Sequence, residues 1–361
     1  MDNSIFMKKA LRLAARGRGR TSPNPTVGAV IVKSGKIIAE DYHRKSGTPH
    51  AEILALRKAG KLAKGATLFI NLEPCCHTDK KTPPCTDAII ESGLKKVVIA
   101  MTDPNPKVSG KGIKALKSAG IATEVGLMET EAKRLNETFA KFITKKEPFV
   151  ILKAAQSLDG KIATASGESK WITGDKARQY VHKLRNEVDA IMVGIGTVIA
   201  DNPSLDCRMR GGRNPYRIII DSSLLIPLNA KVLKHNDQKT IIATTKIADR
   251  EKINSVIKKG YKVLSVKSKA GKVDLKSLMK ELGRLEITSV MIEGGASLNA
   301  SALLSSIVDK VIFFCAPKIM GGLYAVPSVG GISPASLKNI IKVKNLHVKK
   351  IGDDFIFEGY I

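Results

Sequence analysis

Four residues in the first quarter of the chain have the types and spacing of a catalytic zinc site: His50, Glu52, Cys75 and Cys85. One imidazole and two thiolates suit Zn²⁺, and three protein ligands leave a fourth position open for water. The ion lowers the pKa of that water far enough to give hydroxide near neutral pH. The pattern therefore indicates hydrolysis, with Glu52 as the group that carries the proton.

The order of these residues indicates which bond is hydrolysed. HxE followed by PC and a second Cys is typical of zinc nucleobase deaminases, in which the Glu is a general acid and base and not a ligand. Hydroxide attacks an amidine carbon, and the leaving amine must receive a proton. We expect one zinc ion per chain on His50, Cys75 and Cys85, with Glu52 as the catalytic residue.

A structural zinc site is the alternative. Cys75 and Cys85 are ten positions apart, whereas the common deaminase pattern has a CxxC. A closed site could be formed by His50, Cys75, Cys76 and Cys85, or by His77 with three of these. Such a site gives Glu52 no role, and neighbouring cysteines chelate one ion awkwardly.

Composition indicates a two-domain protein. The chain has 361 residues, 43% of them hydrophobic, which suffices for two cores. No uncharged apolar stretch is long enough to span a membrane, and the start of the chain does not resemble a signal peptide. Three of the five cysteines lie between positions 75 and 85, which favours metal binding over disulfides. We expect a soluble, cytoplasmic protein with no membrane partner.

The charge indicates anionic substrates rather than nucleic acid. Sixty Lys and Arg against 33 Asp and Glu give a formal net charge of +27, which attracts phosphorylated molecules. The lysines are dispersed along the sequence, as in the pairs Lys95–Lys96 and Lys258–Lys259. Only 4% of residues are aromatic, so no stacking platform for single strands is evident.

The predicted elements of the first half position the zinc residues. Two residues on a helix differ by about 200° in direction, so His50 and Glu52 can converge on one ion only at the first turn of a helix. Pro49 marks such a start for a helix over 50–59. A strand over 66–72 delivers Cys75, and a strand over 96–101 ends at a turn over 102–106, where open α/β sheets bind ligands.

The second half restarts the strand and helix alternation after a joint at residues 145–148. A helix is predicted over 175–187 with Asp175 as its cap, and strands include 240–244 and 354–360. Gly294 and Gly295 follow a strand and suit a phosphate at a helix N-terminus, although a structural turn explains such a pair equally well. Gly194 and Gly196 lack the third glycine of a Rossmann fingerprint, so that interpretation is rejected.

Two sets of residues together resemble the bifunctional riboflavin-biosynthesis deaminase/reductases, over essentially the whole chain. The first set is Pro23–Pro25, Val27, Gly28, His50, Glu52, Glu73–Cys75, Thr82–Cys85 and Asp103–Pro106. The second set is Lys153, Ser157–Gly160, Gly167–Thr173, Thr197, Asp201–Leu205, Arg208 and Glu293–Leu298.

The resemblance implies a cytidine-deaminase-like three-layer α/β/α domain over 1–146 and a dihydrofolate-reductase-like α/β domain over 147–361. The first would use zinc to deaminate 2,5-diamino-6-(5-phosphoribosylamino)pyrimidin-4(3H)-one. The second would use NADPH to reduce the ribosyl group of 5-amino-6-(5-phosphoribosylamino)uracil to ribityl. The expected partner is therefore a phosphorylated aminopyrimidine, and the protein is expected to be a homo-oligomer.

The resemblance also implies roles for individual residues. Pyrimidine and phosphoribosyl contacts in the deaminase would come from Asn24, His77, Asp103 and Asn105. NADP contacts would come from Ala155, Trp171, Thr197, Asp201, Ser222, Gly295, Ala296 and Ser297. Substrate contacts in the reductase would come from Ser169, Arg185, Leu205, Arg208 and Glu293, of which the two arginines suit a phosphate, although a surface salt bridge is the ordinary role of a lone Arg.

One departure and two alternatives accompany this interpretation. The segment from Cys75 to Cys85 is one residue longer than in many relatives, which weakens the role of His77. A tRNA-type adenosine deaminase with a basic appended domain would explain the charge but not Trp171, Asp201 and Glu293–Gly295. A deaminase fold without activity, kept for dimerisation or binding, would not need His50, Glu52 and both cysteines.

Overall fold

The computed structural model describes residues 2–78, 83–235 and 237–361. The chain forms two compact units, Met1–Lys146 and Glu147–Ile361. Both units are mixed α/β structures, as the sequence predicts.

The first unit is built on a five-stranded sheet in the order β2-β1-β3-β4-β5. β1 is antiparallel to β2 and β3, whereas β3, β4 and β5 are parallel. Helix α1 packs on β1 and β3, and α2 packs on β1 and β2. The elements are α1 Ser4–Ala15, β1 Gly28–Lys33, β2 Lys36–Tyr42, α2 Ala51–Ala59, β3 Thr67–Ile70, α3 Cys85–Glu91, β4 Lys96–Ile99, α4 Lys111–Ser118, β5 Ala122–Val125, α5 Glu129–Leu135 and α6 Glu137–Lys145.

Close approach of α1 to the sheet depends on Gly28. A Cβ at that position would lie 2.2 Å from the carbonyl oxygen of Ala10 and 2.7 Å from the backbone nitrogen of Ala14. Any larger residue would therefore push the helix away from β1. Since β1 begins at Gly28, just after the loop that carries Asn24, this packing also fixes the end of that loop.

The second unit is built on a nine-stranded sheet in the order β11-β10-β9-β8-β14-β6-β15-β18-β17. The strands from β11 to β15 in that order are parallel, and β18 and β17 add an antiparallel edge. The elements are β6 Phe149–Gln156, β7 Lys161–Ala163, α7 Asp175–Glu187, β8 Ala190–Gly194, α8 Ile195–Asp201, β9 Tyr216–Ile220, β10 Thr240–Thr244, α9 Arg250–Lys258, β11 Lys262–Ser265, β12 Ser268–Lys269, β13 Lys272–Val273, α10 Leu275–Arg284, β14 Ser289–Ile292, α11 Ala296–Leu304, β15 Lys310–Cys315, β16 Val326–Pro327, β17 Lys344–Ile351 and β18 Asp354–Tyr360.

Two apolar clusters cover the two faces of this sheet. Successive residues of β6 belong to them in turn, with Phe149 and Ile151 in one and Val150 and Leu152 in the other. Strand residues point alternately to opposite faces, so each cluster lies on its own face. Burial on both faces explains why these parallel strands are continuous apolar runs.

Three details of the sequence prediction are wrong. Gly174, not Asp175, is the N-cap of α7, and Asp175 is its first helical residue. The sequence pattern predicts one last helix in the first unit, ending near residue 143, but the structure has two helices there, α5 and α6, which meet at Asn136. Strand β17 was not predicted, because its residues are exposed and rich in lysine and so show no core pattern.

Candidate active sites

Three elements bring the predicted zinc ligands together. His50 is the N-cap of α2 and has an extended backbone, with φ −72° and ψ 165°. Cys85 is the first residue of α3, and Cys75 follows β3. The Nδ1 atom of His50 lies 3.2 Å from the Sγ atom of Cys85 and 3.5 Å from that of Cys75.

This arrangement fits a zinc ion. Zn–N and Zn–S bonds in a tetrahedral site place neighbouring ligand atoms about 3.6 Å apart. The three ligand atoms lie within 4.8 Å of one another, and within the described ranges no further His, Cys, Asp or Glu joins them. Cys76 and His77 are outside this group, which argues against the closed structural site.

Glu52 is buried beside the ligands, at 3% exposure in the first turn of α2. Its Oε2 atom has no hydrogen-bond partner in the part of the chain that the structure describes. Burial raises the pKa of this carboxyl group, and the nearby imidazole of His50 opposes that shift. A buried carboxyl group with an unused oxygen next to an open ligand set suits a proton carrier.

His43 links the metal ligands to Asn24. Its ring stands edge-on to that of His50, with centroids 5.2 Å apart. The carbonyl oxygen of Pro49 can only accept, so Nδ1 of His43, 3.3 Å away, carries the proton. Nε2 of neutral His43 then accepts from Nδ2 of Asn24 at 3.5 Å, which leaves the Asn24 oxygen available to a substrate donor.

Glu73 anchors the loop that carries the other predicted substrate contacts. Its carboxylate accepts hydrogen bonds from the backbone nitrogens of Asp103, Gly110 and Ile113, at 3.0–3.1 Å. Asp103 in turn accepts from the backbone nitrogen of Asn105 at 2.8 Å. Burial raises the pKa of Asp103 to about 7, and the charge of Glu73 adds to that shift.

Part of the deaminase prediction is left open. His77 is half-buried and lies two residues after Cys75, between the two cysteine ligands. Thr82 of the quoted motif and Asp79–Lys81 of the longer loop lie outside the described residues.

The second unit contains a cavity of about 600 Å³ at the carboxyl end of β6. The cavity is lined both by residues predicted to bind the cofactor and by residues predicted to bind the substrate. Its lining includes Ala155, Trp171, Asp201, Ser169, Arg185, Leu205, Arg208 and Glu293. Thr197, Ser222 and Gly295–Ser297 are not among its lining residues.

These remaining cofactor residues follow the same edge of the sheet. Ser222 comes after β9, Thr197 lies in α8 after β8, and Gly295 comes after β14 as the N-cap of α11. Because β9, β8, β14 and β6 are neighbouring parallel strands, their carboxyl ends lie side by side. The predicted cofactor residues therefore lie along one edge of the sheet, from the end of β9 to Ala155 in β6. An extended dinucleotide could bind along such an edge. Ala296 and Ser297 open α11, whose N-terminal amides favour phosphate.

A buried charge cluster lies at the cavity wall. Arg185 donates through Nε and Nη2 to the two carboxylate oxygens of Glu293, at 2.8 and 2.9 Å. Lys153 Nζ lies 3.9 Å from Glu293 Oε2. Although burial opposes it, the charge of Arg185 lowers the pKa of Glu293 to about 2. Burial lowers the pKa of Lys153.

Trp171 and Arg208 lie at more open positions of the cavity. The guanidinium of Arg178 covers the Trp171 ring at 4.5 Å, while the ring remains 62% exposed. Arg208 is an exposed residue whose Nε donates to Asp206 Oδ1 at 3.2 Å. Arg208 therefore has the exposure that a phosphate contact needs, whereas most donors of Arg185 are already used.

The structure brings three residues without a predicted role to the two sites: His43, Lys153 and His182. A lysine inside the buried strand β6 was a usable signal, because lysine is rarely buried unless paired. The histidines gave no such signal, since a lone His in a loop or helix is common.

Among the described residues, every helix is too short or too polar to span a lipid bilayer.

Family models match both units. The cytidine and deoxycytidylate deaminase zinc-binding region matches residues 1–101. The RibD C-terminal domain matches residues 148–357.

Similar proteins match over nearly the full length. The riboflavin biosynthesis protein RibD of Aquifex aeolicus is 48% identical over 353 residues, covering 97% of this chain and 96% of its own. The Escherichia coli RibD protein is 39% identical over 371 residues, 98% of each chain. A Thermotoga maritima structure, described as a diaminohydroxyphosphoribosylaminopyrimidine deaminase/5-amino-6-(5-phosphoribosylamino)uracil reductase, has 41% identity and a TM-score of 0.87, covering 99% and 98%. The chain therefore belongs to the bifunctional RibD family of riboflavin biosynthesis proteins.

Proposed function

We propose that this chain catalyses two consecutive steps of riboflavin biosynthesis. Residues 1–146 remove the 2-amino group of 2,5-diamino-6-(5-phosphoribosylamino)pyrimidin-4(3H)-one by hydrolysis. Residues 147–361 reduce the ribosyl group of the product to ribityl. The observation that carries the proposal is the open His50, Cys75 and Cys85 group with the buried carboxyl group of Glu52 beside it.

The zinc ion would be held by His50, Cys75 and Cys85. When bound, it would act as a Lewis acid that activates water. Glu52 takes a proton at Oε2 from the attacking water and gives it to the departing amine. The raised pKa of Glu52 suits this role, because the carboxyl group has to hold a proton between the two transfers.

The substrate of the deaminase would be held from two sides. Asn24 offers its amide oxygen as an acceptor, since its nitrogen donates to His43. Asp103, Asn105 and His77 contribute polar groups from the loops after β4 and β3. We assign the pyrimidine and the phosphoribosyl group jointly to these four residues.

The reductase cofactor NADPH supplies hydride when bound. It would be held along the strand ends by Ser222, Thr197 and Gly295–Ser297, and in the cavity by Ala155, Trp171 and Asp201. In the reduction, the bond between the ribosyl carbon C1′ and the ring oxygen breaks, C1′ gains the hydride, and the released oxygen takes up a proton. Lys153 can donate this proton from Nζ, because burial lowers its pKa and Glu293 holds it in the cavity wall.

The alternative of a tRNA-type adenosine deaminase is disfavoured. It gives no role to the second unit, whose match to the RibD C-terminal domain spans residues 148–357. The test is to supply the diaminopyrimidine substrate alone and follow ammonia, then add NADPH and follow its oxidation. Ammonia release followed by NADPH oxidation supports the proposal, whereas activity on tRNA without either reaction contradicts it.

We also propose that the protein is a homo-oligomer, with a second copy covering an apolar sheet face on β17 and β18. Val348 pairs with Phe357, and Phe357 pairs with Phe313 in β15, so the three side chains share one face. Leu346 is 52% exposed and Val348 53% exposed. Lysines on the edge strand β17 disfavour pairing of this strand with the edge strand of a second copy. Contact between copies through the apolar face of β17 and β18 is therefore favoured.

This oligomer is tested by the mass of the protein in solution. Light scattering should give a multiple of 38.9 kDa for the wild type. Val348→Asp should give the single-chain mass with both activities measurable. A wild-type mass of one chain, or an unchanged mass in Val348→Asp, contradicts this interface.

The proposed location is the cytoplasm, where thiolate ligands such as Cys75 and Cys85 stay reduced. The dispersed lysines favour neither nucleic acid nor a membrane surface as a partner.

A further inference from the structure

Arg185 has little capacity left for a substrate phosphate. Its Nε and Nη2 donate to Glu293, and its Nη1 donates to the carbonyl oxygen of Asp206 at 3.0 Å. Its charge is balanced by that of Glu293, and the residue is only 14% exposed in its side chain. A phosphate dianion in this cavity therefore needs donors other than Arg185.

His182 lines the same cavity on the same helix face. It lies one turn from both Arg178 and Arg185 in α7, and all three line the cavity. The backbone nitrogen of Arg208 donates to its Nδ1 at 3.4 Å. Because a backbone N–H can only donate, Nδ1 is the acceptor, and neutral His182 carries its proton on Nε2.

His182 is surrounded by groups of both signs. Arg185 and Arg208 face it, as do Glu293 and Asp206. Burial and the two arginines lower its pKa, so the ring is neutral near pH 7 and Nε2–H is a donor without a charge to desolvate.

We infer that Nε2–H of His182 binds the phosphate of the phosphoribosyl substrate together with the guanidinium of Arg208. This inference rests on the proposed reductase function. It separates the cavity into two parts, with Glu293 and Lys153 at the sugar and with His182 and Arg208 at the phosphate. Arg185 then acts as a positioning residue, since it holds Glu293 and the backbone at Asp206.

The first test compares the deaminated substrate with its dephosphorylated form. In His182→Ala, kcat/KM for NADPH oxidation should fall about 10- to 100-fold with the phosphorylated substrate, as expected for a lost hydrogen bond to a charged group. It should change less than about 2-fold with the dephosphorylated form. Lys183→Ala is the matched control, because Lys183 is an exposed cation on the same helix that does not line the cavity.

Equal losses with both substrates would mean that His182 only supports the Arg208 loop, and the inference would be wrong. No loss with either substrate would also overturn it. If the wild type oxidises NADPH with neither substrate, the proposed function fails instead, so the two failures are distinguishable.

A second measurement follows ligand binding to the wild-type protein, so its readout does not depend on the activity of a variant. The imidazole ¹⁵N signals are followed by NMR during titration with ribose 5-phosphate and, separately, with ribose. His182→Gln, which keeps a side-chain donor near the Nε2 position, assigns the signal. A shift of the His182 Nε2 signal with ribose 5-phosphate but not with ribose supports the inference, and an unchanged signal at saturation contradicts it.

Discussion

Arg185 and Glu293 are joined by two parallel hydrogen bonds of 2.8 and 2.9 Å although they are 108 positions apart in the chain. The pair ties α7 to the end of β14 and leaves both side chains less than 15% exposed. A bidentate pair of this kind fixes both side chains in one orientation. The geometry of the reductase cavity therefore depends on it.

Glu293→Gln should destabilise the second unit by about 3 kcal/mol, because it leaves the charges of Arg185 and Lys153 buried without a partner. It should also abolish NADPH oxidation while ammonia release persists. Thermal unfolding and the two activity assays check this. Glu281→Gln is the matched control. Because Glu281 pairs with Arg284 at the surface, its replacement should change the free energy of unfolding by less than about 1 kcal/mol. Equal destabilisation by both variants would contradict the role of the buried pair.

The same pair predicts a pH dependence of stability. The pKa of Glu293 is lowered from 4.5 to about 2, so its stabilising contribution is complete above about 4.5 and is lost as the pH falls towards 2. This pKa shift corresponds to a contribution of roughly 3 kcal/mol to the free energy of unfolding. The free energies of unfolding of the wild type and of Glu293→Gln, measured with denaturant, should differ by that amount at pH 6. The two values should converge as the pH approaches 2. A difference that stays constant with pH would be inconsistent with this linkage.

Arg208→Ala should raise the KM of the reductase for its phosphorylated substrate by about tenfold or more, with kcat little changed, because uniform binding is lost. Steady-state NADPH oxidation measures both constants. Arg210→Ala controls for the loss of one positive charge, since Arg210 is exposed and is not among the cavity residues. An unaltered KM in Arg208→Ala would reject the phosphate contact.

Removal of zinc should separate the two reactions. Incubation with a chelator should stop ammonia release, and added Zn²⁺ should restore it. NADPH oxidation with the deaminated substrate should continue throughout, because none of the predicted zinc ligands lies in the second unit. Loss of NADPH oxidation on chelation would contradict this separation.

Local patterns allowed many elements and the zinc residues to be predicted. The bounds of α7, β10 and β18 agree with the prediction, since each has a clear hydrophobic period or a full apolar run. Convergence of His50 and Glu52 at a helix start follows from helix geometry alone. The structure confirms this placement, with His50 as the N-cap and Glu52 in the first turn.

Contacts between distant segments could not be predicted in this way. Nothing local in the sequence indicates that Arg185 pairs with Glu293, so the sequence leaves a phosphate role open to Arg185. The link from His43 to Asn24 likewise depends on how a loop and a strand end meet. Strand β17 forms because β18 offers it hydrogen bonds, not because its own residues favour burial.

The most direct test of the proposed deaminase is the ammonia release of Glu52→Gln, measured with the zinc content of the same preparation. We expect one zinc ion per chain, ammonia release reduced by a factor of about 10² to 10⁴, and unchanged reduction of deaminated substrate. Ammonia release at the wild-type rate from the zinc-loaded variant would contradict the role of Glu52. Loss of both reactions together would contradict two independent sites.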